Sequence, residues 1–221
     1  MSDSDLKQLN FPQTISDSSI KGIILVEICD KVVCDALSQF NLPIVSVDMP
    51  NVPFEELNGI DVVTMESKKN LKKIINQLIE KGAESFGFVG DLYSPNVSRG
   101  FQERYNALSE CLAEHQLPLN QKNCLLHQTP EDFRNFQTTV NNLQAMISLP
   151  DVFICGNDWT AIQLIYALQF LGFQIPKDIC VVGFDNIPAA SRISPSLTTI
   201  STPQKYLGIA CLLYTSPSPR D

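Results

Sequence analysis

Residues 178–188 read DICVVGFDNIP, and this stretch is apolar from Ile179 to Phe184 before it becomes polar at Asp185 and Asn186. A strand with consecutive rather than alternate apolar residues is typical of a parallel sheet that is covered on both faces. The stretch therefore predicts a buried parallel strand whose carboxyl end carries polar side chains.

The same kind of apolar run recurs along the chain, each time followed by a segment of helical periodicity. Predicted strands cover residues 22–28, 43–48, 61–65, 85–90, 123–127, 152–157 and 178–185. Predicted helices cover residues 68–81, 101–112, 129–147 and 159–171, and a further helix starts at residue 204 and ends near 213. Strands that alternate with helices indicate an α/β fold with parallel sheets.

The composition argues against a secreted, a membrane-spanning and a general nucleic-acid-binding protein. The 221 residues are 44% apolar, carry a formal net charge of -8, and include seven Cys. No Cys pair has the CxxC spacing, so we expect reduced thiols in a cytoplasmic protein. The N-terminus lacks a basic segment followed by an apolar one, and the apolar runs are too short to span a membrane. The acidic balance argues against general nucleic-acid binding by this chain.

Polar residues follow the predicted strands. In open α/β sheets ligands bind beyond the carboxyl ends of the strands. Carboxylates and amides with one arginine suit an uncharged, polyhydroxylated ligand. The alternative is that these residues cap helices or form turns, as Asp158 could do for the helix that starts at Trp159. The residues concerned are Asp48, Asp91, Asn157, Asp158, Asp185 and Asn186.

Trp159 follows the Asn157–Asp158 pair directly. Its ring could stack on the face of a sugar, or it could pack in the core or between lobes.

Sequence motifs for enzyme chemistry are missing. The sequence contains neither a dinucleotide-binding glycine motif nor a phosphate-binding loop. It also lacks a nucleophile elbow and an HExxH zinc motif. We therefore predict a protein that is not an enzyme, has no cofactor and has no metal site.

An ordered set of motifs carries a family resemblance. Residues 178–188 with PSLTTI at 195–200 resemble the effector-binding domain of LacI/GalR-type bacterial transcriptional regulators. Further segments are similar to that family in the same order. They are KGIIL at 21–25, LPIVSVD at 42–48, SFGFVG at 85–90, SRGF at 98–101 and GNDWTA at 156–161. Each motif is weak alone, but the similarity covers residues 20 to 211 without a break in order.

The resemblance implies two Rossmann-like lobes with parallel sheets and a small ligand, a sugar, in the cleft between them. The implied organisation is a partial N-terminal lobe over 1–66 and a C-terminal lobe over 67–197 with a five-stranded, mainly parallel sheet. Residues 198–213 form the crossover back towards the N-terminal lobe. In residues 214–221, Pro217 and Pro219 forbid continuation of the preceding helix, which predicts a non-native or disordered tail; the alternative is a natural frayed terminus. The N-terminal lobe is expected to be incomplete, because the family's first strands have no counterpart here.

The resemblance also implies site residues and partners. Arg99, Asn157 and Asp185 match family positions that contact the effector, with Asp158 and Trp159 beside them. Phe133 or Phe136 matches loosely an aromatic residue near the ligand. In a homodimer, ligand binding changes the spacing of two DNA-binding headpieces and so the affinity for the operator. We expect operator binding only through a helix-turn-helix segment that is absent from this chain.

Three functions compete at this point. The first is the ligand-sensing domain of a LacI/GalR-like regulator, and the second is the sugar-binding protein of a transport system. The transport protein would need a signal peptide and few Cys, which this sequence does not offer. The third, an α/β enzyme, has no visible catalytic motif.

Overall fold

A computed structural model describes residue 5 and residues 8–93, 98–127, 132 and 135–215. The described residues form two compact units. Unit 1 draws on residues 1–65, 95–100 and 203–221, and unit 2 on residues 66–94 and 101–202.

The elements in chain order are β1 (Ile23–Val26), α1 (Lys31–Leu37), β2 (Ile44–Val47), β3 (Ile60–Val63), α2 (Lys68–Glu80), β4 (Phe86–Val89), α3 (Arg99–Glu114), α4 (Phe136–Gln144), β5 (Val152–Cys155), α5 (Asp158–Phe170), β6 (Cys180–Asp185), β7 (Thr198–Ser201) and α6 (Gln204–Thr215). Short 3-10 helices lie at Gln13–Ser16, Phe54–Glu56, Gln121–Asn123 and Pro188–Ser191. The α/β class and the parallel pairing predicted from the sequence are confirmed.

Unit 1 contains a three-stranded parallel sheet in the order β1-β2-β3. Helix α6 packs against all three strands. The buried core includes Leu25, Val33, Leu37 and Ile44. Cover on both faces explains the apolar residues of β2, whose Ile44 and Val45 are buried, whereas Ile24 and Val26 of β1 are 42% and 61% exposed.

Unit 2 contains a four-stranded parallel sheet in the order β4-β5-β6-β7. The predicted five-stranded sheet is therefore wrong for the described residues. The predicted strand over 123–127 contributes a single parallel bridge, between Leu125 and Val89. The reason is local, because Asn120 caps the 3-10 helix Gln121–Asn123 just before it. The backbone of Asn123 then runs so close to β4 that a Cβ on Gly87 would lie 2.1 Å from the Asn123 carbonyl oxygen.

Helix α5 forms the centre of unit 2. It packs on β5, β6 and α4 and contains a single charged residue, Asp158. Ala161, Leu164 and Leu168 are fully buried in its core. Its consecutive apolar residues explain why the sequence predicted this helix almost to the residue.

Three helices differ from the sequence prediction. Helix α1 was not predicted; Asp30 caps it by accepting hydrogen bonds from the N–H groups of Val32 and Val33. Helix α4 ends at Gln144, and Ile147, which was predicted to lie on its apolar face, is 94% exposed. The predicted start of this helix at 129–131 lies outside the described residues. Helix α6 runs two residues into the predicted tail, and residues 216–221 lie outside the described residues.

No helix among the described residues is both long enough and apolar enough to cross a membrane.

Candidate functional site

The carboxyl ends of the strands in unit 2 meet at one edge of the sheet, because all four strands are parallel. Strand β6 ends at Asp185, and the neighbouring strand β5 ends two residues before Asn157. Two of the residues predicted to bind ligand thus follow adjacent strands of one sheet. We call this edge of unit 2 the ligand edge.

The backbone at the end of β6 is unusual. Asp185 has φ 112° and Asn186 has φ 54°, in the region that favours glycine. Such conformations cost on the order of 1–3 kcal/mol each and persist only where surrounding contacts hold them. Here the Asn186 N–H donates to Thr199 Oγ1 at 3.2 Å, and the hydroxyl of Thr202 donates to the Asp185 carbonyl at 3.3 Å. The turn is therefore held by side chains from β7 and the residue after it.

Asn157 caps helix α5. Its Oδ1 accepts a hydrogen bond from the Thr160 N–H at 2.9 Å. Its side-chain NH₂ group makes no hydrogen bond to any other residue that the structure describes. The predicted capping role and the predicted ligand role are therefore compatible, because each uses a different end of the amide.

Asp158 is fully buried, at 0% exposure. Its carboxylate accepts hydrogen bonds from Thr199 Oγ1 at 2.5 Å and from the Ile187 N–H at 2.9 Å. Burial raises the pKa of the Asp158 carboxyl above its ordinary value, while these hydrogen bonds act in the opposite direction. The carboxylate thereby ties the start of α5 to β7 and to the turn after β6. A ligand contact by Asp158 stays a prediction.

Of the aromatic residues predicted near the ligand, the structure describes Trp159 but not Phe133. Trp159 lies in the first turn of α5 and is 63% exposed, so it is not a core residue. Phe133 lies outside the described residues.

Arg99 belongs to unit 1. Its backbone N–H donates to the Met49 carbonyl at 3.0 Å, and its Nη1 donates to the Val52 carbonyl at 3.0 Å. Its guanidinium also lies over the Phe54 ring, 4.5 Å from the centroid. The ligand role predicted for Arg99 stays a prediction.

Asp48 marks the corresponding strand end in unit 1. One carboxylate oxygen accepts from the Met49 N–H at 2.8 Å, and the other accepts from the Ser98 hydroxyl. Burial and the Asp48 charge raise the pKa of the neighbouring Cys29 thiol to about 12. A thiol held protonated in this way is a poor nucleophile.

Arg104 is a residue of the ligand edge that sequence reasoning missed. It is only 5% exposed, and its Nη1 donates to the Gly156 carbonyl oxygen at 2.5 Å. Its guanidinium lies 3.8 Å from the centroid of the Phe184 ring. The signal was available, because Arg104 lies three residues after Phe101 and four before Leu108 on the predicted apolar stripe of α3.

The structure was also searched for metal sites over residues 8–93, 98–127 and 135–215. They contain no group of three His, Cys, Asp or Glu side chains that could hold a metal ion.

Comparison with known protein families matches residues 75–212 to the periplasmic binding protein-like domain. The chain belongs to this family. Its relatives within the family are LacI-type regulators, as the motifs predicted. Catabolite control protein A of Staphylococcus xylosus is 31% identical over 68% of this chain and 44% of its own length. The ribose operon repressor of Haemophilus influenzae is 27% identical over 89% of this chain and 56% of its own length.

Solved structures show the same periplasmic binding protein-like fold. A LacI family regulator from Lactobacillus casei with bound glucose has a TM-score of 0.72 at 20% identity, and the match covers 96% of this chain and 75% of that one. The lac repressor dimer bound to operator and an anti-inducer has a TM-score of 0.71 at 20% identity, over 89% of this chain and 65% of that one.

The family members named here are repressors and regulators rather than enzymes or transport proteins. The transport alternative is therefore not favoured. The chain spans about half the length of the curated relatives that it matches.

Proposed function

We propose that this chain is the ligand-sensing part of a LacI-type transcriptional regulator. It binds a small effector, a sugar, at the ligand edge of unit 2, and operator DNA is bound by a segment outside these 221 residues. The observation that carries the proposal is the placement of Asn157 and Asp185 at the ends of adjacent parallel strands. The regulator acts in the cytoplasm, where operator DNA lies, and the proposal includes no catalytic step.

The chemistry of the ligand edge suits hydroxyl groups. The Asp185 carboxylate accepts hydrogen bonds, and the Asn157 NH₂ group donates them, so one sugar hydroxyl can use both. Asn186 adds a second amide beside Asp185. In this proposal Arg99 supplies donors, Asp158 mainly holds the strand ends in place, and Trp159 contributes to association between copies rather than to the ligand.

The test is a titration of the 221-residue chain with D-glucose, D-ribose and D-xylulose by isothermal titration calorimetry. Two relatives or structural neighbours carry glucose and D-xylulofuranose, and another is named for ribose. We expect binding of at least one sugar, and we expect Asp185→Asn to weaken it by about 1.5–3 kcal/mol, the range for a hydrogen bond to a charged group. That corresponds to roughly ten- to a hundredfold in affinity.

Asp178→Asn is the matched control. Asp178 lies just before the opposite end of the same strand, is exposed, and accepts a hydrogen bond from the Gln174 N–H at 2.7 Å. It should leave sugar affinity unchanged. Equal affinities for the wild type and Asp185→Asn would remove Asp185 from the site, and no binding of any of the three sugars would contradict the proposed ligand class.

We also propose that two copies of the chain associate through the outer face of α5. Trp159, Tyr166 and Phe170 are 63%, 43% and 65% exposed, and they recur at helical spacing on one face. Aromatic side chains are enriched at interfaces. The chain carries a net charge of -8, so two copies repel in general. Helix α5 exposes no charged side chain, because its only one, Asp158, is buried. A two-fold interface brings the same face of both copies together, so a face without charged side chains avoids like-charge contacts near the axis.

Sedimentation equilibrium tests this association. Trp159 is the only Trp of the chain, so its emission should shift to the blue and its quenching by acrylamide should fall as dimers form. Phe170→Glu should give monomers. Ile147→Glu is the control, since Ile147 is 94% exposed but lies outside α5. A dimer that survives Phe170→Glu, or a wild type that is monomeric at all concentrations, would contradict the proposal.

A further inference from the structure

Arg104 is a cation buried behind the ligand edge. Its exposure of 5% places it among the buried residues of unit 2, although ionised side chains are rarely buried so deeply. Taking a guanidinium out of water is costly, so its contacts must offset that cost.

Those contacts reach the carboxyl ends of two adjacent strands at the ligand edge, β5 and β6. Nη1 donates to the carbonyl oxygen of Gly156, the residue before Asn157. The guanidinium carbon lies over the ring of Phe184, the residue before Asp185, at 3.8 Å from the centroid. One side chain therefore contacts the residue immediately before each of two proposed ligand contacts.

Each contact restrains the backbone next to one of the two proposed ligand contacts. The carbonyl of Gly156 belongs to the same peptide plane as the N–H and Cα of Asn157, so a hydrogen bond to that oxygen holds the plane on which Asn157 is mounted. The Phe184 ring is 2% exposed, and its position limits how the strained backbone at Asp185 can relax.

The contacts also require an arginine. A guanidinium is planar and can donate in its plane while it stacks on an aromatic face, whereas an ammonium group is a compact, strongly hydrated charge. Lysine at this position keeps the charge but loses the combination of stacking and in-plane donation. Phe101, one turn earlier on α3, has its ring 5.8 Å from the guanidinium and fills the space beside Gly156.

We propose that Arg104 is a positioning residue for ligand binding, which holds the ends of β5 and β6 in one fixed arrangement so that Asn157 and Asp185 present their groups to the same ligand. The ligand role of those two residues rests on the proposed function. The positioning by Arg104 can be measured without any ligand.

The experiment is residue-resolved amide hydrogen exchange on the 221-residue chain. The variants are Arg104→Lys and, in case that one folds poorly, Phe184→Leu, which removes the ring but leaves the arginine. The reporters at the ligand edge are the N–H groups of Gly156, Asn186 and Ile187, which donate to Val89, Thr199 and Asp158. We expect their exchange to rise by about tenfold or more relative to amides at the strand centres, because the edge opens locally.

Phe86→Leu is the matched control. Phe86 is 1% exposed and begins β4 at the opposite end of the sheet, so the same loss of a buried ring there should lower global stability without a selective effect at the ligand edge. A purely structural role for Arg104 would make all three variants raise exchange evenly across unit 2, and that result would overturn the proposal.

A sugar titration completes the test. Arg104→Lys should weaken the affinity for the bound sugar by about tenfold, whereas Phe86→Leu should not. If no sugar binds the wild type but exchange rises selectively, the proposed ligand class fails and the positioning by Arg104 stands. If a sugar binds with equal affinity to the wild type and Arg104→Lys, the positioning role is wrong.

Discussion

The substitution Asp158→Ala should destabilise unit 2 strongly. The buried carboxylate accepts from the Thr199 hydroxyl at 2.5 Å and from the Ile187 N–H at 2.9 Å. Hydrogen bonds to charged groups contribute about 1.5–3 kcal/mol each, which gives about 3–6 kcal/mol for the two. Burial raises the pKa of this carboxyl, which shows that its charge is partly disfavoured in the fold. We therefore expect the lower end of the range, a loss of about 3 kcal/mol in the free energy of unfolding.

Urea denaturation followed by far-UV circular dichroism measures this loss. Asp178→Ala serves as the control, because Asp178 is exposed and accepts a hydrogen bond from one backbone N–H. Its removal should cost about 1 kcal/mol, because water replaces much of an exposed hydrogen bond. If Asp158→Ala costs no more than Asp178→Ala, the reasoning that Asp158 ties α5 to β7 is refuted.

Three further results are expected. Gly183→Ala should lower the free energy of unfolding, measured in urea, by about 1–3 kcal/mol, because the added Cβ would collide with Asp158 Oδ1. Gly208→Ala is the control and should not destabilise, because nothing lies within 4 Å of its added Cβ. Equal effects of the two variants would contradict the close contact between Gly183 and Asp158. Burial raises the pKa of the Asp151 carboxyl, but hydrogen bonds from residues 84 and 85 together outweigh it, so the pKa lies below its ordinary value of 3.8. The ionised carboxylate therefore stabilises the folded state above pH 3.8, and this contribution is lost as the pH falls further. Asp151→Asn should therefore lower the melting temperature at neutral pH and have less effect in acid. Cys29, with a pKa of about 12, should be alkylated near neutral pH far more slowly in the folded protein than in urea.

Local sequence patterns predicted most of the strands and the ends of the longer helices. The run from Ile179 to Phe184 is apolar at consecutive positions, and this alone placed Asp185 at a strand end. Helix α1 has seven residues, and so short a segment offers too few repeats of the helical period to be recognised. Leu125 lies in an apolar segment, yet the capped 3-10 helix before it limits the pairing to one bridge.

The polar contacts of the ligand edge depended on distant residues. Asp158 is 41 residues from Thr199 and 29 from Ile187, so a sequence pattern around Asp158 could show a helix cap but not a buried carboxylate. Arg104 is 52 residues from the carbonyl that it binds. Nothing local distinguishes it from a solvated arginine except its place on an apolar stripe. The positions at strand ends were thus predictable, whereas the network behind them was not.

The packing of α6 has a consequence for the order in which the protein is made. The sheet of unit 1 is complete in sequence once Val63 has been synthesised, but the helix that covers all three of its strands begins only at Gln204. At translation speeds of 5–20 residues per second, that apolar surface waits on the order of ten seconds on the ribosome for its cover. Unit 2, whose four strands follow one another without such a delay, can meanwhile acquire its hydrogen bonds in the order of synthesis. While residues 64–203 are being synthesised, the nascent chain therefore exposes the uncovered sheet of unit 1, to which molecular chaperones that recognise apolar surface can bind.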